Sequence, residues 1–211
     1  MILDLGCGQG SFLVEAAAQG ARAIGVEINQ AYIELAQKRA CEAGISIDIR
    51  RGVAEHLPFA DGAFSFVNMS EVIEHVQDPE QVLREMSRIL SCEGCAYISA
   101  PNRYGMKDQH FHLYGVNWLP RRMADTFIRI FGKHKDYTDA NAGRQRLADM
   151  HYYTYESIGA LSRAAGFEVI DIRMQRVNEM TPVAFRLAVR LVYRCLRAVV
   201  FDSFHLLLTK P

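Results

Sequence analysis

Apolar and polar positions along the chain switch repeatedly between the short runs and alternation of strands and the wider spacing of helices. ILDL at 2–5 is a short apolar run, SFLVEAAAQ at 11–19 carries a helical pattern, and RAIGVE at 22–27 reads as a second strand. A helix over NQAYIELAQKRACEAG follows, with Asn29 as its cap and Gly44 as its stop. ISIDIRR at 45–51 alternates as a third strand, and AFSFVNMS at 63–70 reads as a buried fourth after a turn holding Pro58 and Gly62. Asp78-Pro79 opens a helix to about Leu90, Pro79 suiting its first turn. LSCEGCAYIS then reads as a helix-to-strand turn around Gly94, with CAYISAP at 95–101 as strand five. Strands joined in order by helices predict an α/β fold with a doubly wound, mainly parallel sheet.

The rhythm breaks over residues 102–150, a stretch too long for an ordinary connection. It follows the carboxyl end of strand five, where ligands bind in open α/β sheets, and it carries Tyr104, Tyr114, Trp118, Tyr137 and several basic residues. A lid facing the substrate is the expectation. Thr154 then caps a helix over YESIGALSRAAG, FEVIDIRM at 167–174 reads as strand six, and FHLLLT at 204–209 as strand seven.

Between the last two strands lies a second insertion, 181–201. Its core, PVAFRLAVRLVYRCLRAVV at 182–200, has no acidic residue and spaces Arg186, Arg190, Arg194 and Arg197 four, four and three apart. On a helix begun by Pro182 they form one narrow stripe, with the rest of the circumference apolar. Three readings stay open: a helix on a membrane surface with arginines on anionic head groups, a homodimer or core contact, and, least favoured with four arginines, a transmembrane span.

Composition narrows the class. At 211 residues, half of them hydrophobic, the chain can bury a full core, so residues 1–211 are read as a single domain. The formal charge is zero, which gives no global field to recruit nucleic acid. No signal-peptide pattern precedes Asp4, and the five cysteines are an odd number, so reduced thiols in the cytoplasm are expected, with the chain peripheral on the inner face of the membrane if the arginine helix docks there. Cys92 and Cys95 form a lone C-x-x-C without the other ligands a zinc site needs.

Asp4-Leu5-Gly6-Cys7-Gly8-Gln9-Gly10 sets glycines at alternate positions between strand one and a helix, a turn that lets a ligand press against the main chain. The nicotinamide fingerprint needs its third glycine one residue later, where Ser11 stands, so a dehydrogenase is disfavoured. Glu27, at the tip of strand two, is placed to accept from ribose hydroxyls, and Ile28 to pack on an adenine.

Through DLGCGQG, GVEIN, EHLPFADGAFSFV and SEVIEHV with its following Asp78-Pro79, the chain resembles the class I S-adenosylmethionine-dependent methyltransferases, near the ubiquinone-pathway O-methyltransferase and type 11 group. The resemblance implies a Rossmann-like seven-stranded sheet with its last strand antiparallel, and S-adenosylmethionine lying across the carboxyl ends of strands one to four. It implies that Asp4, Gly6 and Gly8 lie against the methionine half and that Glu27 binds the ribose, with Gly10, Ile28 and Ser70 as further candidate cofactor-binding residues. Many members place an aspartate before Ala-Glu to meet the adenine; Val53 stands there, so recognition falls to backbone groups at Ala54 and Glu55. Members also carry a helix or two ahead of strand one, which implies that such helices are missing before Ile2.

SEVIEHV holds Glu71, Glu74 and His75 at i, i+3 and i+4, which on a helical turn share one face. With His110 and His112 arriving after strand five, these form a ligand set for a divalent ion, and a carboxylate-rich mixed set favours Mg2+ or Mn2+. The resemblance extends here to branches that use a metal to lower the pKa of an acceptor hydroxyl, with Glu71, Glu74, His75 and His110 or His112 as ligands. The other reading has His75, His110 or His112 as a metal-free general base. The leading function is O-methylation of a hydroxylated small or lipid-linked acceptor, such as an isoprenoid phenol or a glycan. Its rival is a truncated or non-catalytic fold acting as a binding partner.

Overall fold

Seven strands form one mixed sheet in the order β3-β2-β1-β4-β5-β7-β6. The computed structural model describes residues 1–131 and 146–210. Strands β1 (Ile2–Leu5), β2 (Ala23–Glu27), β3 (Asp48–Arg51), β4 (Phe64–Ser70) and β5 (Leu90–Pro101) pair in parallel, so their carboxyl ends share one edge. β7 (Ser203–Thr209) inserts antiparallel between β5 and β6 (Glu168–Asp171), which is the doubly wound, last-strand-reversed sheet expected.

Helices α1 (Ser11–Ala18), α2 (Gln30–Glu42), α3 (Pro79–Ile89) and α5 (Tyr155–Ala164) join the strands, and α4 (Arg121–Phe131) lies in the long segment after β5. Asn29 caps α2 by accepting from the N–H groups of Ala31 and Tyr32, and Thr154 and Ser157 make a reciprocal capping box on α5. The core is apolar and continuous: Leu3, Phe64, Val67, Ile98 and Leu206 from the sheet meet Val82, Leu83 and Met86 of α3. A smaller cluster of Phe111, Val116, Ala124, Ile128, Leu147 and Met150 packs residues 111–128 against 147–150. Tyr137, counted among its aromatics, lies outside the described residues.

Four local expectations are corrected. The third strand starts at Asp48, later than 45. The turn near Gly94 is built into β5: opposite two residues of β4, Phe64 to Phe66, the partner advances from Leu90 to Cys95, so the intervening residues bulge. Strand six stops at Asp171, because that side chain accepts from the N–H of Met174 and caps a new helix, α6 (Ile172–Met180). Pro182 is followed by a 3-10 turn, Val183–Phe185, before helix α7 runs over Arg186–Val200.

Asn102 ties these late elements to the edge of the sheet. Its buried side-chain amide donates to the carbonyls of Arg197, Ala198 and Phe201 at 3.2, 3.0 and 2.8 Å, where α7 has run out of backbone partners. Asn102→Ala leaves those carbonyls without their donor and is expected to lower stability by about 2–3 kcal/mol in urea unfolding. A loss near zero would show that water replaces the amide at no cost.

Candidate active site

At the carboxyl ends of β1, β2 and β4 a cleft of about 870 Å³ opens, lined in part by Gly6, Gly8, Glu27, Ile28, Ala54, Glu55 and Ser70. The glycine turn is built as its sequence requires: Gly6, Gly8 and Gly10 have φ of 69, 50 and 72°, the left-handed region open to glycine. Gly10 does not face the cleft. A Cβ there would stand 2.7 Å from the Cβ of Ala36, so this glycine brings α1 close to α2.

Glu27 closes the turn from the side. Its Oε2 accepts from the N–H of Gly8 at 2.8 Å, and its Oε1 accepts from the N–H groups of Ile28 and Asn29, both at 2.9 Å. Oε1 is thereby filled, and Oε2 keeps one lone pair for a ligand hydroxyl. Asp4 lies beneath, almost fully buried, accepting from Asn68 Nδ2 at 2.6 Å. Burial pushes its carboxyl up to about 6, with the Asn68 hydrogen bond opposing and the charge of Glu27 adding to the rise. Two carboxylates thus stand behind a backbone turn, a floor suited to a cationic ligand. Burial pushes the Cys7 thiol well up, leaving it a packed neutral group under Gly25.

The far wall is held from behind. The Glu55 carboxylate accepts from the N–H of Gln77 at 2.8 Å, and Arg88 reaches the carbonyls of Leu57 and Phe59 while pairing with Glu85 and Asp61. Val53 faces the cleft in place of an acidic side chain, and Glu55, His56, Gln77 and Asp78 also line the cleft.

The acid-histidine constellation differs from its expected form. Residues 71–77 make a non-helical turn, with Glu71 at a left-handed φ of 57°, so Glu71 does not share a face with Glu74 and His75. Glu74, His75 and His110 instead converge, each offering a ligand atom within 4.8 Å of the others. Glu74 is fully buried, with Oε1 3.1 Å from His110 Nε2 and 3.9 Å from His75 Nε2. His110 rather than His112 enters the group because Asp108 accepts from the N–H groups of His110 and Phe111 and turns the chain inward, while His112 points to solvent at a φ of 56°. His75 lines the cleft, and so does Asp149 from the segment after β5.

Several supporting residues escaped the sequence reading. Tyr152 donates to Asp108 at 2.7 Å, Tyr153 donates to the carbonyl of Ile73, and the N–H of His151 donates to the carbonyl of Glu74, so residues 151–153 brace the group. Asn68, a polar residue within a mainly apolar strand, is a signal the sequence carries; Tyr152 and Tyr153 offer none.

A family model described as a methyltransferase domain matches residues 3–98. The ubiquinone biosynthesis O-methyltransferase of Parvibaculum lavamentivorans is 32% identical over 167 residues, covering 76% of this chain and 66% of that protein. The protein of the same name from Chromobacterium violaceum is 36% identical over 168 residues, 76% of this chain and 72% of its own. The chain spans about two thirds of the length of these relatives. A Thermotoga maritima S-adenosylmethionine-dependent methyltransferase of known structure, described as a possible histamine N-methyltransferase, aligns with a TM-score of 0.59 over 100% of this chain and 82% of that one. At 20% identity, that likeness concerns the fold alone.

Proposed function

The chain belongs to the class I S-adenosylmethionine-dependent methyltransferases, and on that premise we propose that it methylates a hydroxyl oxygen of a small or lipid-linked acceptor, an isoprenoid phenol foremost. The observation that carries this reading is His75 at the cleft, backed by the buried Glu74 carboxylate and His110. The names of the relatives support oxygen as the accepting atom and an isoprenoid compound as the acceptor.

When bound, the sulfonium donor supplies an already activated methyl group, so the chain has two tasks: to align the acceptor in line with it and to take away a proton. Gly6, Gly8 and Glu27 hold the donor, with Asp4 behind them and Ile28 and the main chain at Ala54 and Glu55 on the nucleoside. His75 accepts the hydroxyl proton, and the Glu74 carboxylate stabilises the imidazolium that results. Ser70 and Asp149 stand where the acceptor enters.

A second reading is favoured by the convergence of three ligand atoms: Glu74, His75 and His110 hold a divalent ion. Both oxygens of Glu74 are shielded from solvent, and Oε1 stands 3.1 Å from His110 Nε2, a buried carboxylate–imidazole pair that fits such a role. One carboxylate and two imidazoles suit zinc, manganese or iron better than the Mg2+ favoured by a set containing Glu71. When bound, the ion would lower the pKa of an acceptor hydroxyl.

The test is transfer of labelled methyl to a catechol bearing a short isoprenoid chain. Wild type is expected to methylate it, and His75→Asn to lower kcat by about 10²–10⁴-fold with donor affinity unchanged. Loss of activity on chelation, restored by zinc or manganese, selects the second reading; chelation without effect selects the first. Absence of any methyl transfer to the probe removes the phenol assignment.

A further inference from the structure

Helix α7 is oriented with its polar side toward the protein. Its least exposed positions are Arg186, Val189, Tyr193 and Arg197. Tyr193 donates to both oxygens of Asp171 at 2.9 Å, Arg197 pairs with Asp171 at 3.5 Å and lies 3.4 Å over the Tyr155 ring, and Arg186 donates to the carbonyl of Thr181. The stripe expected from sequence is therefore divided: Arg186 and Arg197 turn inward as anchors, and Arg190 and Arg194 stay exposed at the margin of the apolar face.

That apolar face is turned outward. Leu187, Leu191, Val192 and Leu196 are 71, 54, 56 and 49% exposed, an arrangement opposite to that of an ordinary surface helix. The patch continues onto the loop after β5, because the N–H of Met106 donates to the carbonyl of Val199 and Trp118 Nε1 donates to the carbonyl of Tyr104. Trp118 and Tyr104 are 54 and 48% exposed, amphipathic rings of the kind that sit at a water–lipid boundary.

We propose that this face of α7, together with Tyr104 and Trp118, docks flat on an anionic lipid bilayer. Charge decides the occupant. From residue 180 to 201 there is no carboxylate, and exposed Lys107, Arg190 and Arg194 ring the apolar patch. In a two-fold contact between copies of this chain, the arginines of one α7 would meet those of the other with no acid in the segment to pair them. An anionic bilayer supplies both the apolar phase and the counter-charge. No helix among the described residues is long and apolar enough to cross a membrane, so α7, about 22 Å long at helical rise, lies on the surface. The docked face adjoins Asn102 at the carboxyl end of β5, on the edge of the sheet where the cleft opens. The inference extends the lipid-linked acceptor reading from substrate to surface.

Flotation with vesicles tests it on the full chain, without any activity assay. The protein is expected to float with phosphatidylcholine–phosphatidylglycerol vesicles and not with phosphatidylcholine alone. Leu191→Glu/Leu196→Glu should abolish flotation, and Arg190→Gln/Arg194→Gln should weaken it by about fivefold per arginine. S-adenosylmethionine affinity, read by calorimetry, is expected unchanged in both variants, which shows that they fold. Equal soluble recovery of wild type with both vesicle types overturns the proposal. So does a concentration-dependent dimer in sedimentation that the leucine variant dissolves while wild type fails to float. Failure of the catechol assay leaves this outcome unaffected, so the acceptor reading and the docking reading fail separately.

Discussion

Glu27→Ala is expected to weaken S-adenosylmethionine binding by about 100-fold or more in calorimetry. The carboxylate does two things at once. Through Oε2 at 2.8 Å and Oε1 at 2.9 Å it fixes the N–H groups of Gly8, Ile28 and Asn29, which leaves one lone pair of Oε2 free to accept from a ligand hydroxyl. Losing a charge-assisted bond to the ligand costs about 1.5–3 kcal/mol, and the glycine turn loses its tether in the same step. Glu27→Gln separates the two contributions, because its amide keeps one accepting oxygen. It should retain binding within about tenfold if that oxygen takes the Gly8 side. A change below threefold for the alanine variant would remove Glu27 from the donor site.

The second large effect is a pH dependence set by Asp4. Burial lifts its carboxyl from 3.8 to about 6, which means the fold disfavours its ionised form. Asp4 therefore favours folding below its unfolded pKa, and that contribution is lost as pH rises through about 6, a cost of about 3 kcal/mol at neutral pH. A cationic ligand over the glycine turn reverses the preference, because it is drawn to the carboxylate. Affinity for S-adenosylmethionine should therefore fall about tenfold between pH 7 and pH 5. Asp4→Asn keeps an oxygen for the Asn68 amide and removes the charge. The variant is expected to melt higher than wild type at pH 7 without ligand, to bind the donor more weakly there, and to lose the pH dependence. A wild-type slope persisting in Asp4→Asn would assign the titration to another group.

Much of this was legible in advance where the chemistry is local. The glycines at 6, 8 and 10, the Asn29, Asp78 and Thr154 caps and the apolar runs of β1, β2 and β4 act within a few residues, so their meaning is carried by neighbours in the chain. What was misread depends on partners distant in sequence or on backbone angles that a residue's type does not announce. FEVIDIRM alternates well enough to pass for a full strand, yet Asp171 spends its carboxylate on the Met174 N–H and on Tyr193, and the strand ends there. Glu71 takes a left-handed φ uncommon for a glutamate, which separates it from Glu74 and His75. His110 and His112 are two residues apart and alike in sequence; the turn made by Asp108 buries one and exposes the other. The arginines of α7 read as one stripe because spacing shows which residues share a face, and Asp171 and Tyr155 decide which way that face turns.

The insertion of β7 between β5 and β6 has a consequence for the order in which the chain folds. Among the described residues β6 has only β7 as a sheet neighbour, and β7 follows both α6 and α7 in the chain. Until β7 docks, a folding chain holds β5 with one edge open and a strand that has nothing to pair with, next to a helix whose apolar side faces out. That interval is when the unfinished edge is most exposed to wrong strand pairing. Substitutions that slow the docking of residues 203–209 would lengthen it, and chaperone binding during refolding should rise with the delay.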